Sequence, residues 1–344
     1  MTKSLDYSPP PVGEWKGQTY YGHQQVKPAP FEPGVVGGYI FLAGLSGASA
    51  LIGAIATSID AGRKRRRRRG WRRERFAELA RRSRYLSLLA PTIGSVLLIY
   101  DLHTPQRFYN MLRIAKKTSP MSIGTWILMS FSASAGLSAA AQVVADLRPR
   151  WRWPLKAARA AQVPAALAGA GLSTYTASLL AATSTPTWAA APRPTAVRFA
   201  SSAVAAAAAT LALGETTPGT RRALENVLLA ALITEAAGSA ATDARFEKTG
   251  VEPGRDGRWG KLEKIGATGL GVVLPLGLLV ASRMTRKHGN LLATVAAATA
   301  VGGSAIMRIA VLGTGIESAR RPDVSMRFAQ PDNLPAQRGA RALP

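Results

Sequence analysis

Three groups able to hold or move a proton fall within seven residues where an apolar run ends, in Leu98-Ile-Tyr-Asp101-Leu-His103-Thr-Pro105-Gln-Arg107. An acid, an imidazole and a guanidinium set this close form an adjustable proton relay. Burial favours the neutral acid, neighbouring cations favour the carboxylate, and histidine titrates near neutral pH. The structural alternative has Asp101 and Arg107 pairing to pin a loop, with Pro105 ending the helix. His23, ahead of the first apolar run, is a further candidate if its segment folds back over the same end, and a solvated side chain otherwise.

The elements that must position these residues are membrane spans. A hydrocarbon core about 30 Å thick needs roughly 20 apolar residues of helix. Eight runs of that kind occur, at 35–59, 84–104, 119–145, 159–184, 196–213, 223–242, 264–282 and 290–316. None alternates in polarity as a barrel strand would, so the fold class is an all-α integral membrane protein. The fifth run, with alanines from Ala205 to Ala209, is the least hydrophobic and needs its neighbours to hold it in the bilayer. Small residues in the first run (Gly44, Gly47, Ala48, Gly53) and the fourth (Gly169, Gly171, Ser173) allow close helix approach.

The 344 residues carry 44 Lys and Arg and a net charge of +25. Thirteen of those cations lie in residues 61–84, including the tract Arg63–Arg69, and short basic loops stay on the cytoplasmic side. The expected orientation therefore has this loop inside and both termini outside a cell inner (plasma) membrane. No cleavable signal peptide is evident in the polar first 34 residues. The same placement argues against nucleic acid as a partner of the Arg tract, which lies against the lipid bilayer. The absence of cysteine leaves no thiolate metal site and no iron-sulfur ligand in this chain. None of the three histidines lies in a span interior, His103 falling at the outer end of the second run, so paired axial haem ligands are lacking too.

Ionisable residues inside spans are costly and therefore informative. Glu225 and Glu235 lie in the sixth run and Arg308 in the eighth. Glu235 and Arg308 are expected to pair across the last four helices, the alternative being a proton path through them. The segment 243–263 alternates acids and bases and reads as a solvated loop, or as a contact surface for a partner.

Several motifs taken together resemble the NrfD, or polysulfide-reductase membrane-subunit, family. They are Tyr20-Tyr-Gly-His23 with Val26-Lys-Pro28, the glycine-rich stretch from Tyr39 to Ala50, Asp101-Leu-His-Thr-Pro105-Gln-Arg107-Phe-Tyr-Asn-Met-Leu-Arg113, Thr118-Ser-Pro-Met-Ser122-Ile-Gly-Thr-Trp126, and Ser173-Thr-Tyr175. They cover roughly residues 20–190. The resemblance implies two four-helix bundles, at 35–184 and 185–316, after a polar segment 1–34 and before a flexible tail 317–344. It implies a haem-free quinone- or quinol-interacting anchor subunit with menaquinone or ubiquinone as exchangeable cofactor. Its partners would be a ferredoxin-like iron-sulfur subunit and a molybdopterin-type catalytic subunit, in a polysulfide-, nitrite- or formate-type complex of anaerobic respiration. The quinone would sit at the end of the first bundle that bears His23, Asp101, His103 and Arg107, with Tyr39, Trp126 and Tyr175 as further candidate contacts. His103 departs from the small residue that many relatives carry there. A multi-helix transporter and a passive membrane anchor are the competing readings.

Overall fold

Prolines set the starts of most helices. At the first turn proline loses no hydrogen bond and brings a helical φ with it, and Pro33, Pro120, Pro192 and Pro218 each open a span. The computed structural model describes residues 26–66, 75–101, 106, 113, 115–285 and 288–330, without the side chains of 63–66 and Asp101. Eight helices in it are long and apolar enough to cross a membrane. We label them α1 (Pro33–Arg66), α2 (Ala77–Asp101), α3 (Pro120–Leu147), α4 (Trp153–Ala181), α5 (Pro192–Leu213), α6 (Pro218–Thr249), α7 (Arg258–Met284) and α8 (Gly289–Ala319). All eight expected spans are present, and no strand occurs among the described residues. With an even number of crossings, the N-terminal face carries the starts of odd-numbered helices and the ends of even-numbered ones.

Helix α1 is the shared wall of the molecule. It packs on α2 and α4 on one side and on α5 and α8 on the other, while α3 pairs with α4, α6 with α5, and α7 with α8. Its crossing with α4 is backbone on backbone: a Cβ on Gly47 would lie 2.4 Å from the Gly169 carbonyl oxygen. Helix α5 is enclosed, with 67% of its span buried. Ala205 to Ala209 are each at most 1% exposed, packed among α1, α6 and α8. Alanine is poor at driving insertion but lets a helix be approached closely from every side, which suits the most central position.

Three assignments differ from the sequence reading. Helix α2 begins at Ala77, seven residues before the apolar run, because Arg84 is buried rather than solvated. Its guanidinium donates to the side-chain oxygens of Gln142 at 2.5 Å and Gln162 at 2.7 Å. The segment 243–263 is not a loop. Helix α6 runs on to Thr249, Gly250 caps it with φ 67°, a short 3-10 turn covers Glu252–Arg255, and α7 starts at Arg258. Residues Leu262–Val273 of α7 are wound as a π-helix, a form that concentrates at functional sites. Residues 317–330, assigned by sequence to a flexible tail, end α8 and form the helix Pro322–Phe328. Its Val324 and Phe328 bury against Ala190, Ala191, Phe246 and Val251.

Candidate functional site

Pro120 opens α3 and Tyr175 lies two turns before the end of α4, and together they make one corner of a cavity at the N-terminal face. The Tyr175 hydroxyl donates to the Pro120 carbonyl at 2.5 Å. Its ring lies so close to α3 that a Cβ on Gly124 would be 2.0 Å from Cζ. The cavity holds about 180 Å³. Tyr39, Ile40 and Ala43 of α1, Leu98 of α2, Met121 and Thr125 of α3, and Leu172 and Thr176 of α4 form its walls. Leu312 of α8 closes the back. Phe31 closes the rim and is held by stacking on Trp188 at 6.4 Å, whose buried indole donates to the Val311 carbonyl at 2.7 Å.

The walls are aliphatic and aromatic, with four hydroxyls from Tyr39, Thr125, Tyr175 and Thr176. The Thr125 hydroxyl is engaged by its own helix, donating to the Met121 carbonyl at 3.0 Å. A cavity of roughly 150 Å³ accepts a benzene molecule, so this one has room for a substituted ring while a long tail stays in lipid. A second cavity of about 180 Å³ opens at the opposite face, but Asp60, Glu78, Arg81, Arg84 and Arg159 line it, which suits no apolar ring.

Of the residues singled out by sequence, Tyr39 and Tyr175 line the first cavity. Trp126 does not; it is 40% exposed on the flank of α3 beside Thr125. Asp101 is the last residue of α2, three positions after Leu98, and nothing is described of its side chain. His23, His103 and Arg107 lie outside the described residues. Glu225 is far from the cavity and pairs with Arg221 at 3.1 Å. Glu235 and Arg308 are both buried, yet no direct ion pair joins them among the described residues. Arg308 instead donates to the Ser304 hydroxyl at 2.7 Å and carbonyl at 2.8 Å, and to the Phe199 carbonyl at 3.2 Å. The pairing expected from sequence is thus replaced by a serine- and carbonyl-lined seat for the guanidinium.

Over residues 23–318 the sequence matches the family described as Polysulphide reductase, NrfD. The chain belongs to the NrfD family. The match spans all eight helices, well beyond the motifs in residues 20–190 that suggest it by eye. NrfD proteins are membrane subunits of quinone-interacting oxidoreductase complexes, partnered with iron-sulfur and molybdoenzyme subunits. No curated protein matches this NrfD chain by direct comparison.

Proposed function

We propose that this NrfD chain is the quinone-site subunit of its complex, exchanging electrons with an iron-sulfur subunit docked on the N-terminal face. The observation that carries the reading is the apolar, hydroxyl-bearing cavity at that face, walled by α1 to α4 and bordered by the end of α2 at Asp101. A bound menaquinone or ubiquinone would supply two-electron, two-proton chemistry. Thr176 presents a hydroxyl, which donates to a carbonyl or accepts from a phenol as the ring requires, and Tyr39 lines the facing wall. Ile40, Ala43, Leu98 and Leu172 exclude water from the ring. Asp101, about 4.5 Å further along α2 than Leu98 by the helical rise, is the acid nearest in sequence to this wall and its proposed proton donor. The N-terminal face is outside the cytoplasmic membrane in this reading, opposite the Arg63–Arg69 tract.

Gentle purification tests it. The complex is expected to retain an iron-sulfur protein and extractable quinone, and Asp101→Ala to lose quinone-dependent turnover while keeping turnover with artificial electron dyes. Full quinone turnover in Asp101→Ala removes that role. A chain that purifies without partner or quinone, yet drives solute uptake into proteoliposomes, points to a transporter instead. Quinone-free complex with normal dye activity points to a passive anchor.

A further inference from the structure

The flank of α1 and α4 nearest the opposite face carries a trough that the quinone reading does not use. The two helices meet backbone on backbone at Gly47 and Gly169. Beyond that crossing their inner sides stay joined, the Thr57 hydroxyl reaching the Gln162 side-chain oxygen at 3.3 Å, while their outer sides leave an open space of about 410 Å³. Ala54, Ile55, Ser58 and Ile59 of α1 and Val163 and Leu167 of α4 line it. The volume is within the roughly 300–1,000 Å³ of small-molecule sites. The Ser58 hydroxyl is already engaged, donating to the Ala54 carbonyl at 2.9 Å, so the trough offers its guest apolar contact only.

Apolar residues on a lipid-facing flank need no special cause, and any trough in hydrocarbon holds an acyl chain. The residues above this one single it out. Arg152, Lys156, Arg159, Val163 and Leu167 follow at steps of four, three, four and four, which sets them on one face of α4. Trp151 and Trp153 are both exposed and stack at 6.3 Å, and indoles at a helix start mark the level of the headgroups. Along the helix from Trp153, Lys156 is about 4.5 Å in, Arg159 about 9 Å, and Val163 to Leu167 about 15–21 Å. The headgroup band is about 5–8 Å deep. The cations therefore lie in it or just beneath, with side chains leaning toward the helix start, and the trough lies in hydrocarbon.

Arg152 and Lys156 are exposed and have no acidic partner among the described residues; the acid closest to them in sequence, Asp146, is taken by Arg81 at 2.8 Å. Arg159 is half-buried and also borders the polar cavity at this face. Retention of a loop on the cytoplasmic side accounts for positive charge there in general. It does not call for three cations in line over an apolar trough.

We infer that the trough seats one anionic phospholipid of the leaflet at that face, with a tail between α1 and α4 and the phosphate held by Lys156 and Arg159 below Arg152. The inference does not depend on the quinone reading.

Native mass spectrometry of the purified complex in detergent tests it, with titration by phosphatidylglycerol or by phosphatidylcholine of the same acyl chains. Phosphatidylglycerol is expected to be held at least about tenfold more tightly. Each cation beside an anionic headgroup is worth about fivefold in affinity, so Arg152→Gln combined with Lys156→Gln is expected to weaken phosphatidylglycerol about 30-fold and leave phosphatidylcholine unchanged. Ala54→Phe, which fills the trough and alters no charge, is expected to remove the bound phosphatidylglycerol as well. Equal retention of the two lipids, or phosphatidylglycerol binding unchanged in either variant, overturns the inference. So does a change of oligomeric state in Ala54→Phe, which would make the trough a contact between copies of the chain. Should Ala54→Phe fail to assemble, Ser58→Phe at an exposed position of the same trough takes its place.

Discussion

Gly124→Ala gives the sharpest perturbation of the cavity, because its added methyl has a single defined obstacle. A Cβ there lies 2.0 Å from Tyr175 Cζ and 2.3 Å from the hydroxyl oxygen, against a normal carbon-carbon contact of roughly 3.5–4.0 Å. The ring cannot absorb 1.5 Å or so by a small torsion while its hydroxyl stays on the Pro120 carbonyl. Either that bond breaks and the ring enters the cavity, or α3 and α4 separate. Overpacking of this kind costs about 1–3 kcal/mol. Expressed in quinone affinity, that is a loss of roughly 5- to 150-fold. Gly171→Ala, whose Cβ would meet Ile127 at 3.6 Å in ordinary contact, is the control. The assay is quinone KM in the intact complex, with dye-linked turnover to confirm assembly. Equal KM values for the two variants would refute the placement of Tyr175 as a wall of the binding site. Adding Tyr175→Ala to Gly124→Ala is expected to recover stability without recovering affinity.

Other outcomes follow from the same geometry. Glu263→Gln leaves Arg198 and Arg255 without their shared carboxylate and is expected to destabilise the chain by about 3–5 kcal/mol, read as a fall in thermal midpoint in detergent; an unchanged midpoint would show the pair to be dispensable. Trp126→Leu, altering a residue outside the cavity, is expected to leave quinone KM within about twofold of wild type, and a loss comparable to Gly124→Ala would contradict the cavity boundary. Burial alone would raise the Asp323 carboxyl, but hydrogen bonds from Arg321 and its charge outweigh burial and hold it below its usual 3.8. A lowered acid contributes stability above the unfolded value and loses it as pH falls through the folded one. Amide protection over 322–328, corrected for the intrinsic exchange rate at each pH, is therefore expected to stay flat from neutral pH down to about pH 4 and to fall below it; a fall already near pH 6 would rule out Asp323 as the cause.

The spans were legible because bilayer thickness imposes a length that hydropathy records directly; of the aromatic residues that the family resemblance implied, Tyr39 and Tyr175 line the cavity and Trp126 does not. The buried charges were not. An apolar run stops at its first charge, so Glu263 and Arg255 fell into a presumed loop and Arg84 marked a span edge, although tertiary partners bury all three. Which cation meets which acid depends on helix rotation, which the π-wound turns of α7 alter and composition does not encode. Arg308 shows the same limit: its burial inside a span was readable, but its seat on Ser304 and Phe199 rather than on Glu235 was not. The signal available was the scatter of Ser, Thr and Gln through otherwise apolar helices, as at Gln142, Gln162, Ser202 and Ser304, since such groups in a span need partners.

Photoaffinity labelling with an azido-quinone on the purified complex tests the central claim most directly. The account predicts labelled peptides from α1, α3 and α4 around Tyr39, Met121 and Thr176, diminished by excess natural quinone and weakened in Gly124→Ala. Labelling confined to other helices, or insensitive to competing quinone, would contradict it.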